Sequence, residues 1–185
     1  ALAHILGGQG SASYSYGSLN NHYGVPVSLA RLPESADYGV LELGMNHAGE
    51  LARLSKMARP LVVIITTVEP VHLEFFDTVD DIARAKAEIF DGLEPEGTAV
   101  LNRDNAYFGI LAEAARNAGA EILTFGVHED CDFRLADCAL SKNSSKVRLA
   151  YGGQELSYHL NVPGRHWIQN SLAIMATVSA LGADL

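Results

Sequence analysis

A lysine on the core side of a helix needs a reason, because an ammonium withdrawn from water must be paired, neutralised or chemically changed. Lys86 is such a residue. Residues 79–93 predict a helix capped by Asp77 or Thr78, whose apolar positions Val79, Ile82, Ala83, Ile89, Phe90 and Leu93 recur at helical spacing. Asp80, Asp81, Arg84, Glu88 and Asp91 fall on the other face, whereas Lys86 falls on the apolar stripe. Two readings are open: an aliphatic stem lying along the core edge with its head in water, or a lysine that belongs to a site.

Two further residues bear on that choice. Residues 61–66, LVVIIT, form an apolar, β-branched run suited to a strand buried on both faces. His72 follows in the loop beyond, where α/β proteins build ligand sites. By itself a loop histidine is more often a surface or packing residue than a ligand. Glu42 adds weight: it lies inside residues 38–45, YGVLELGM, a second predicted strand, between Leu41 and Leu43. A carboxylate there is costly unless it meets a cation or a buried partner. A carboxylate on one strand, an imidazole past the next and a lysine on the following helix would suit one metal-phosphate centre, with all three facing a common cleft beyond the carboxyl ends of the two strands.

The elements that must position these groups alternate. Residues 1–6 read as the tail of a helix ending at Gly7 and Gly8, so the chain begins inside an element. Residues 11–16 predict a short strand running into a turn at Gly17, and residues 20–26 a polar turn into a helix through Leu32. Asn20 and Asn21 in that turn either cap the helix or grip a ligand. Residues 44–49 mimic the spacing of a phosphate loop, but Glu50 stands where lysine should follow. Helix 48–58, strand 61–66, helix 79–93, strand 98–102, helix 107–118 and strand 121–125 then predict a mostly parallel sheet flanked by helices. Short alternating runs at 133–140, 146–151 and 155–160, the last two joined at Gly152 and Gly153, predict a small antiparallel sheet. A helix over 167–181 closes this three-layer α/β architecture.

Composition bounds the function. At 185 residues, 48% hydrophobic and with mean hydropathy +0.09, the chain is sized for one domain with a sizeable core. Its 13 basic and 22 acidic residues give a net charge of −9, and no dense basic cluster tracks a nucleic-acid backbone. No apolar run approaches the ~20 residues of a membrane span, and no signal peptide opens the chain, so a cytoplasmic location is expected. Cys131 and Cys138 are too sparse for a zinc site and fit reduced, incidental thiols.

The segments NNHYGVPVSLARL (20–32), VLELGMNHAGELARL (40–54), ITTVEPVHLEFF (65–76), ARAKAEIFDGL (83–93) and GRHWIQNSLA (164–173) together resemble the central, ATPase domain of the Mur ligases, in the expected order over nearly the whole chain. The resemblance implies an ATP-dependent amide ligase of peptidoglycan synthesis, in which a peptide carboxylate is phosphorylated and an amine displaces phosphate from the acyl phosphate. Its wording is nearest the branch that adds D-alanyl-D-alanine to UDP-N-acetylmuramoyl-tripeptide. It implies ATP and Mg2+ as cofactors, Glu42 and His72 as metal ligands, and Lys86 as the family's carbamylated lysine at the same centre. It also implies His166 and Asn170 as nucleotide contacts, and Asn20 and Asn21 as contacts of the muramoyl-peptide. Trp167 stands where the family's GxHN pattern has asparagine, so that contact is not carried over. The family's GKT/S phosphate loop, expected just before Ala1, is absent from these 185 residues, as are the domains that hold the UDP end and bring D-alanyl-D-alanine. The expected unit is therefore a partial central domain, inactive by itself. Two alternatives are the central domain of a folylpolyglutamate or cyanophycin type of amide ligase, sharing the metal centre but not the substrate, and a non-catalytic binding module.

Overall fold

Parallel pairing carries most of the chain. The computed structural model describes residues 1–71 and 73–185; His72 lies outside the described residues. In chain order the elements are α1 (Leu2–Leu6), β1 (Ala12–Tyr14), α2 (Gly24–Ala30), β2 (Tyr38–Val40), α3 (Glu50–Ala58), β3 (Val62–Ile65) and α4 (Val79–Ala87). A 3-10 turn (Glu88–Gly92) leads to β4 (Thr98–Asn102), α5 (Phe108–Asn117), β5 (Glu121–Gly126), β6 (Phe133–Leu140), β7 (Ser145–Tyr151), β8 (Gln154–Leu160) and α6 (Arg165–Ala180). β1 and β2 form a parallel pair of their own. β3 to β6 are parallel neighbours, and β7 and β8 extend the same sheet antiparallel.

Helices cover both faces, as the sequence predicts. On one side Val63 and Ile65 of β3 join Leu101, Ile82, Ala83 and Leu111 in a core with α3, α4 and α5. On the other, Val62 and Ile64 pack with Val100, Phe125, Ile168 and Leu172 beneath α6. Because alternate residues of a strand face opposite ways, a strand covered by helices on both sides must be apolar throughout. The antiparallel strands are not a separate small sheet. They continue the parallel one through a short β5–β6 pairing, Phe125 with Phe133 and Gly126 with Arg134.

Two expected elements are shorter than their periodicity predicts. The predicted strand 38–45 pairs only at Tyr38–Val40, because its neighbour β1 ends at Tyr14 and the chain then bends so that Gly44 donates its N–H to the Asn20 carbonyl at 2.7 Å. The predicted helix 79–93 is α-helical only to Ala87. Beyond it the chain tightens, because Gly92 runs against the backbone of Ser55 on α3, where any Cβ would overlap the Ser55 carbonyl, and the Ser55 hydroxyl donates to the Ile89 carbonyl. At the other end Thr78, not Asp77, is the cap. Its hydroxyl accepts the Asp81 N–H while the Asp81 carboxylate accepts the Thr78 N–H, a reciprocal box that sets where α4 starts and so which residue reaches the position of Lys86.

Candidate active site

Glu42 lies two residues beyond β2, exposed, rather than inside a buried strand. The expectation of a carboxylate trapped between Leu41 and Leu43 is thereby corrected: the ladder ends at Val40, so the side chain turns to solvent. It is nonetheless held. The Asn20 amide donates to Glu42 Oε1 at 2.9 Å, and the Glu42 N–H donates to Ser15 Oγ at 3.2 Å. Gly44 packs so closely on the Asn20 amide that a Cβ would lie 2.9 Å from it, which fixes the asparagine in its place under the carboxylate.

Asn20 and Asn21 therefore divide their work. Asn21 Oδ1 accepts the N–H groups of Tyr23 (3.1 Å) and Gly24 (3.0 Å), satisfying the start of α2. Among the described residues its amide nitrogen has no hydrogen-bond partner.

Lys86 is half-buried between the buried Ala85 and Ala87 on α4. Among the described residues no carboxylate lies within ion-pair distance of it. Burial pushes its ammonium below the ordinary lysine range. A cavity of about 1440 Å³ lies between β2 and β3, and its walls include Glu42, Lys86, Thr66 and Thr67. Glu42 and Lys86 thus both border one elongated cavity that runs along β2 and β3.

The lysine makes a pH prediction. Lowering in the folded state means that folding expels the proton, so the charged form costs stability below Lys86's folded value. Stability should rise with pH in the window from that lowered value up to the ordinary 10.5. Urea unfolding across this window should show the rise in the wild type and a flatter profile in Lys86→Met.

Asn102 and Asn105, which the sequence reading did not single out, shape the loop after β3. Asn102, buried, donates to the Thr66 carbonyl at 2.9 Å; Asn105 donates to Thr67 Oγ1 at 3.1 Å and to the Val68 carbonyl at 3.2 Å. The available signal was an asparagine ending an otherwise apolar strand, TAVLN. The phosphate-loop mimic at 44–49 is confirmed as a decoy. Glu50 accepts the N–H groups of Asn46 and His47, and Glu88 accepts that of Gly49, so carboxylates of the chain occupy the donors an anion would need. The Asn46 N–H holds the Glu50 carboxyl below the usual range, ahead of the contribution from His47.

His166 and Asn170 do not line the cavity. They sit in the first half of α6, His166 against the exposed Trp167 with ring centroids 5.2 Å apart. Gln9, at the entry to β1, exchanges two hydrogen bonds of 2.7 Å with Asp184. The end of α6 is therefore at the amino ends of the strands and its start points toward their carboxyl ends, on the side of Glu42.

Among the described residues no three His, Cys, Asp or Glu side chains form a metal cluster. The donor set suits Mg2+ all the same, since that ion keeps several waters and needs only one or two carboxylates beside phosphate oxygens. Glu42, oriented by Asn20 and open to the cavity, is such a carboxylate.

The profile of the Mur ligase middle domain matches residues 1–178. The chain belongs to the Mur ligase family. Over 184 residues it is 34% identical to the UDP-N-acetylmuramoyl-tripeptide--D-alanyl-D-alanine ligase of Escherichia coli K12, covering 99% of this chain and 40% of that protein. The crystal structure of MurF from Acinetobacter baumannii superposes with TM-score 0.94 at 33% identity, over 100% of this chain and 40% of that one. MurF from Thermotoga maritima in complex with ADP gives TM-score 0.88 at 25% identity, over 100% and 42%. This Mur ligase domain thus spans about 40% of the length of the curated relative in Escherichia coli. Among its described residues no helix is long and apolar enough to cross a membrane.

Proposed function

We propose that this chain is a partial middle domain of an ATP-dependent amide ligase that joins D-alanyl-D-alanine to UDP-N-acetylmuramoyl-tripeptide in peptidoglycan synthesis. The observation that carries the reading is that Glu42 and Lys86 border one cavity between β2 and β3. Relatives of that activity match nearly the whole chain, and one of them is described in complex with ADP. In this reading the remaining parts of the enzyme are an N-terminal domain holding the UDP end, the phosphate loop and a C-terminal domain that delivers the dipeptide. The location is the cytoplasm.

Each residue has a task that its surroundings support. Glu42, with His72 beyond β3, holds Mg2+, which when bound neutralises charge on the phosphates during transfer to the substrate carboxylate. Asn20 keeps the Glu42 carboxylate aimed through its 2.9 Å hydrogen bond. Lys86, lowered by burial, gives up its ammonium proton more readily; the free amine would then attack carbon dioxide, the N–C bond forming and a second proton leaving, so that two protons are lost as the cation becomes a carbamate anion. Asn170 and His166, on the half of α6 that points toward the same side, contact the nucleotide. Asn20 and the free amide nitrogen of Asn21 face the muramoyl-peptide.

The test is a substrate panel on the intact enzyme, following phosphate release. ATP, Mg2+ and UDP-N-acetylmuramoyl-tripeptide should support turnover with D-alanyl-D-alanine. Turnover only with a glutamate acceptor on a folate would replace this reading by the folylpolyglutamate type. The 185 residues alone should show no turnover and weak ATP binding, because they contain no GKT/S loop to cradle the phosphates. Magnesium-dependent ATP binding at about micromolar affinity in calorimetry, some 8 kcal/mol, would contradict that.

A further inference from the structure

β4 lies between β3 and β5 in the sheet and is buried along its whole length, so the chain that leaves it at Asn102 emerges between two loops. Residues 102–105, NRDN, send side chains to both. Asn102, 6% exposed, donates its amide to the Thr66 carbonyl at 2.9 Å. The Asn105 amide donates twice, to Thr67 Oγ1 at 3.1 Å and to the Val68 carbonyl at 3.2 Å, which uses both of its hydrogens. Toward β5, the Asp104 carboxylate accepts the N–H groups of Val127 at 2.8 Å and His128 at 3.1 Å.

The two directions differ in what they hold. β3 ends at Ile65, and beyond it the backbone carbonyls have no ladder partner and need other donors. Three successive residues, 66 to 68, receive them from the turn after the neighbouring strand. Val68, 3% exposed, already anchors this segment in the core, so its packing does not depend on the asparagines. What they add is direction, because a chain anchored at one point can swing about it and a chain bonded at three successive residues cannot. The asparagines are themselves held: Asn102 Oδ1 accepts the Asp104 N–H and Asn105 Oδ1 the Tyr107 N–H, both at 3.0 Å. Thr66 and Thr67 border the cavity that Glu42 and Lys86 also border, whereas residues 126–128 do not.

We propose that Asn102 and Asn105 are positioning residues for the ligase reaction: they fix the direction in which the chain leaves β3 past the cavity of Glu42 and Lys86. The inference rests on the ligase reading, in which this segment carries the metal-binding His72, five residues beyond Thr67. Groups that orient metal ligands without touching the metal are worth roughly 10–100-fold in metal affinity or activity. Asp104, in the same turn but bonded to the loop away from the cavity, carries no such role.

The experiment measures Mn2+ binding to the intact enzyme with ADP by electron paramagnetic resonance, which needs no turnover; Mn2+ takes the same oxygen ligands as Mg2+. Asn102 is too buried to take a charge, so the variants are made at Asn105. In Asn105→Asp the new carboxylate still accepts the Tyr107 N–H but has no hydrogens for Thr67 and Val68. In Asn105→Ser the shorter side chain still reaches the Tyr107 N–H and not the loop. Both variants should unfold at nearly the wild-type temperature, bind Mn2+ about tenfold more weakly or worse, and need correspondingly more Mg2+ for turnover. Asp104→Ala should lower the unfolding temperature and leave Mn2+ affinity within about threefold of wild type, below the range for a group that orients a metal ligand. The proposal is overturned if the Asn105 variants bind Mn2+ as the wild type does. It is also overturned if Asp104→Ala weakens binding as much, since the loss would then follow stability and not the direction of one loop. Glu42→Ala separates the two readings. If it leaves Mn2+ binding unchanged, the metal centre of the ligase reading fails and the positioning role falls with it; if it weakens binding while the Asn105 variants do not, only the positioning role fails.

Discussion

Lys86→Ala in the intact enzyme should lower turnover by on the order of 10²–10³-fold, the scale for removing a group that stabilises charge in a water-poor site. The expectation follows from where the lysine sits. It borders the same cavity as Glu42, and burial disfavours its charged form, the direction that favours the free amine carbamylation needs. On the proposed carbamylation its loss leaves no amine to modify, so added bicarbonate should not restore activity. A short carboxylic acid that fits the space left by the stem should restore a fraction. Thermal stability should hold or rise, because a desolvated ammonium without a carboxylate partner among the described residues is removed. Lys86→Ala with wild-type turnover would remove the lysine from the centre and leave the reading of a stem with its head in water.

Glu42→Ala should be almost as damaging to turnover, about 10²-fold or more, with the loss in kcat rather than in the affinity for D-alanyl-D-alanine. The contrast with stability makes the test sharp. Glu42 is exposed and among the described residues its side chain holds one hydrogen bond, from Asn20, so its removal should cost less than about 1 kcal/mol of folding free energy. Activity titrated against Mg2+ should shift to higher metal concentrations. His72→Ala is expected to follow the same pattern on the strength of the sequence resemblance. Mutants with unchanged kcat and unchanged Mg2+ dependence would take these residues out of the metal centre.

The sequence alone determined what depends on local periodicity. The apolar run at 61–66 became β3 over Val62–Ile65, buried at Val63 and Ile65 on one face and half-buried at Val62 and Ile64 on the other, and the stripe through Val79, Ile82 and Ala83 put Lys86 on the inner side of α4. The alternation of strands and helices sufficed for a mostly parallel sheet between two helix layers, and the wording of five segments for the family. Tertiary structure decided what depends on where pairing stops. YGVLELGM reads as one strand from Tyr38 to Met45, yet the ladder ends at Val40, since strand length is set by the neighbour and β1 is only three residues long. The environment of Glu42 changed with it, from a trapped carboxylate to an exposed one steadied by Asn20, 22 residues away. The same holds for Asn102 and Asn105, whose partners at Thr66, Thr67 and Val68 lie 36 to 38 residues back along the chain. Hydrophobic period records which face of an element is covered; the ends of ladders and the seats of polar side chains arise from segments distant in sequence, and no local pattern encodes them.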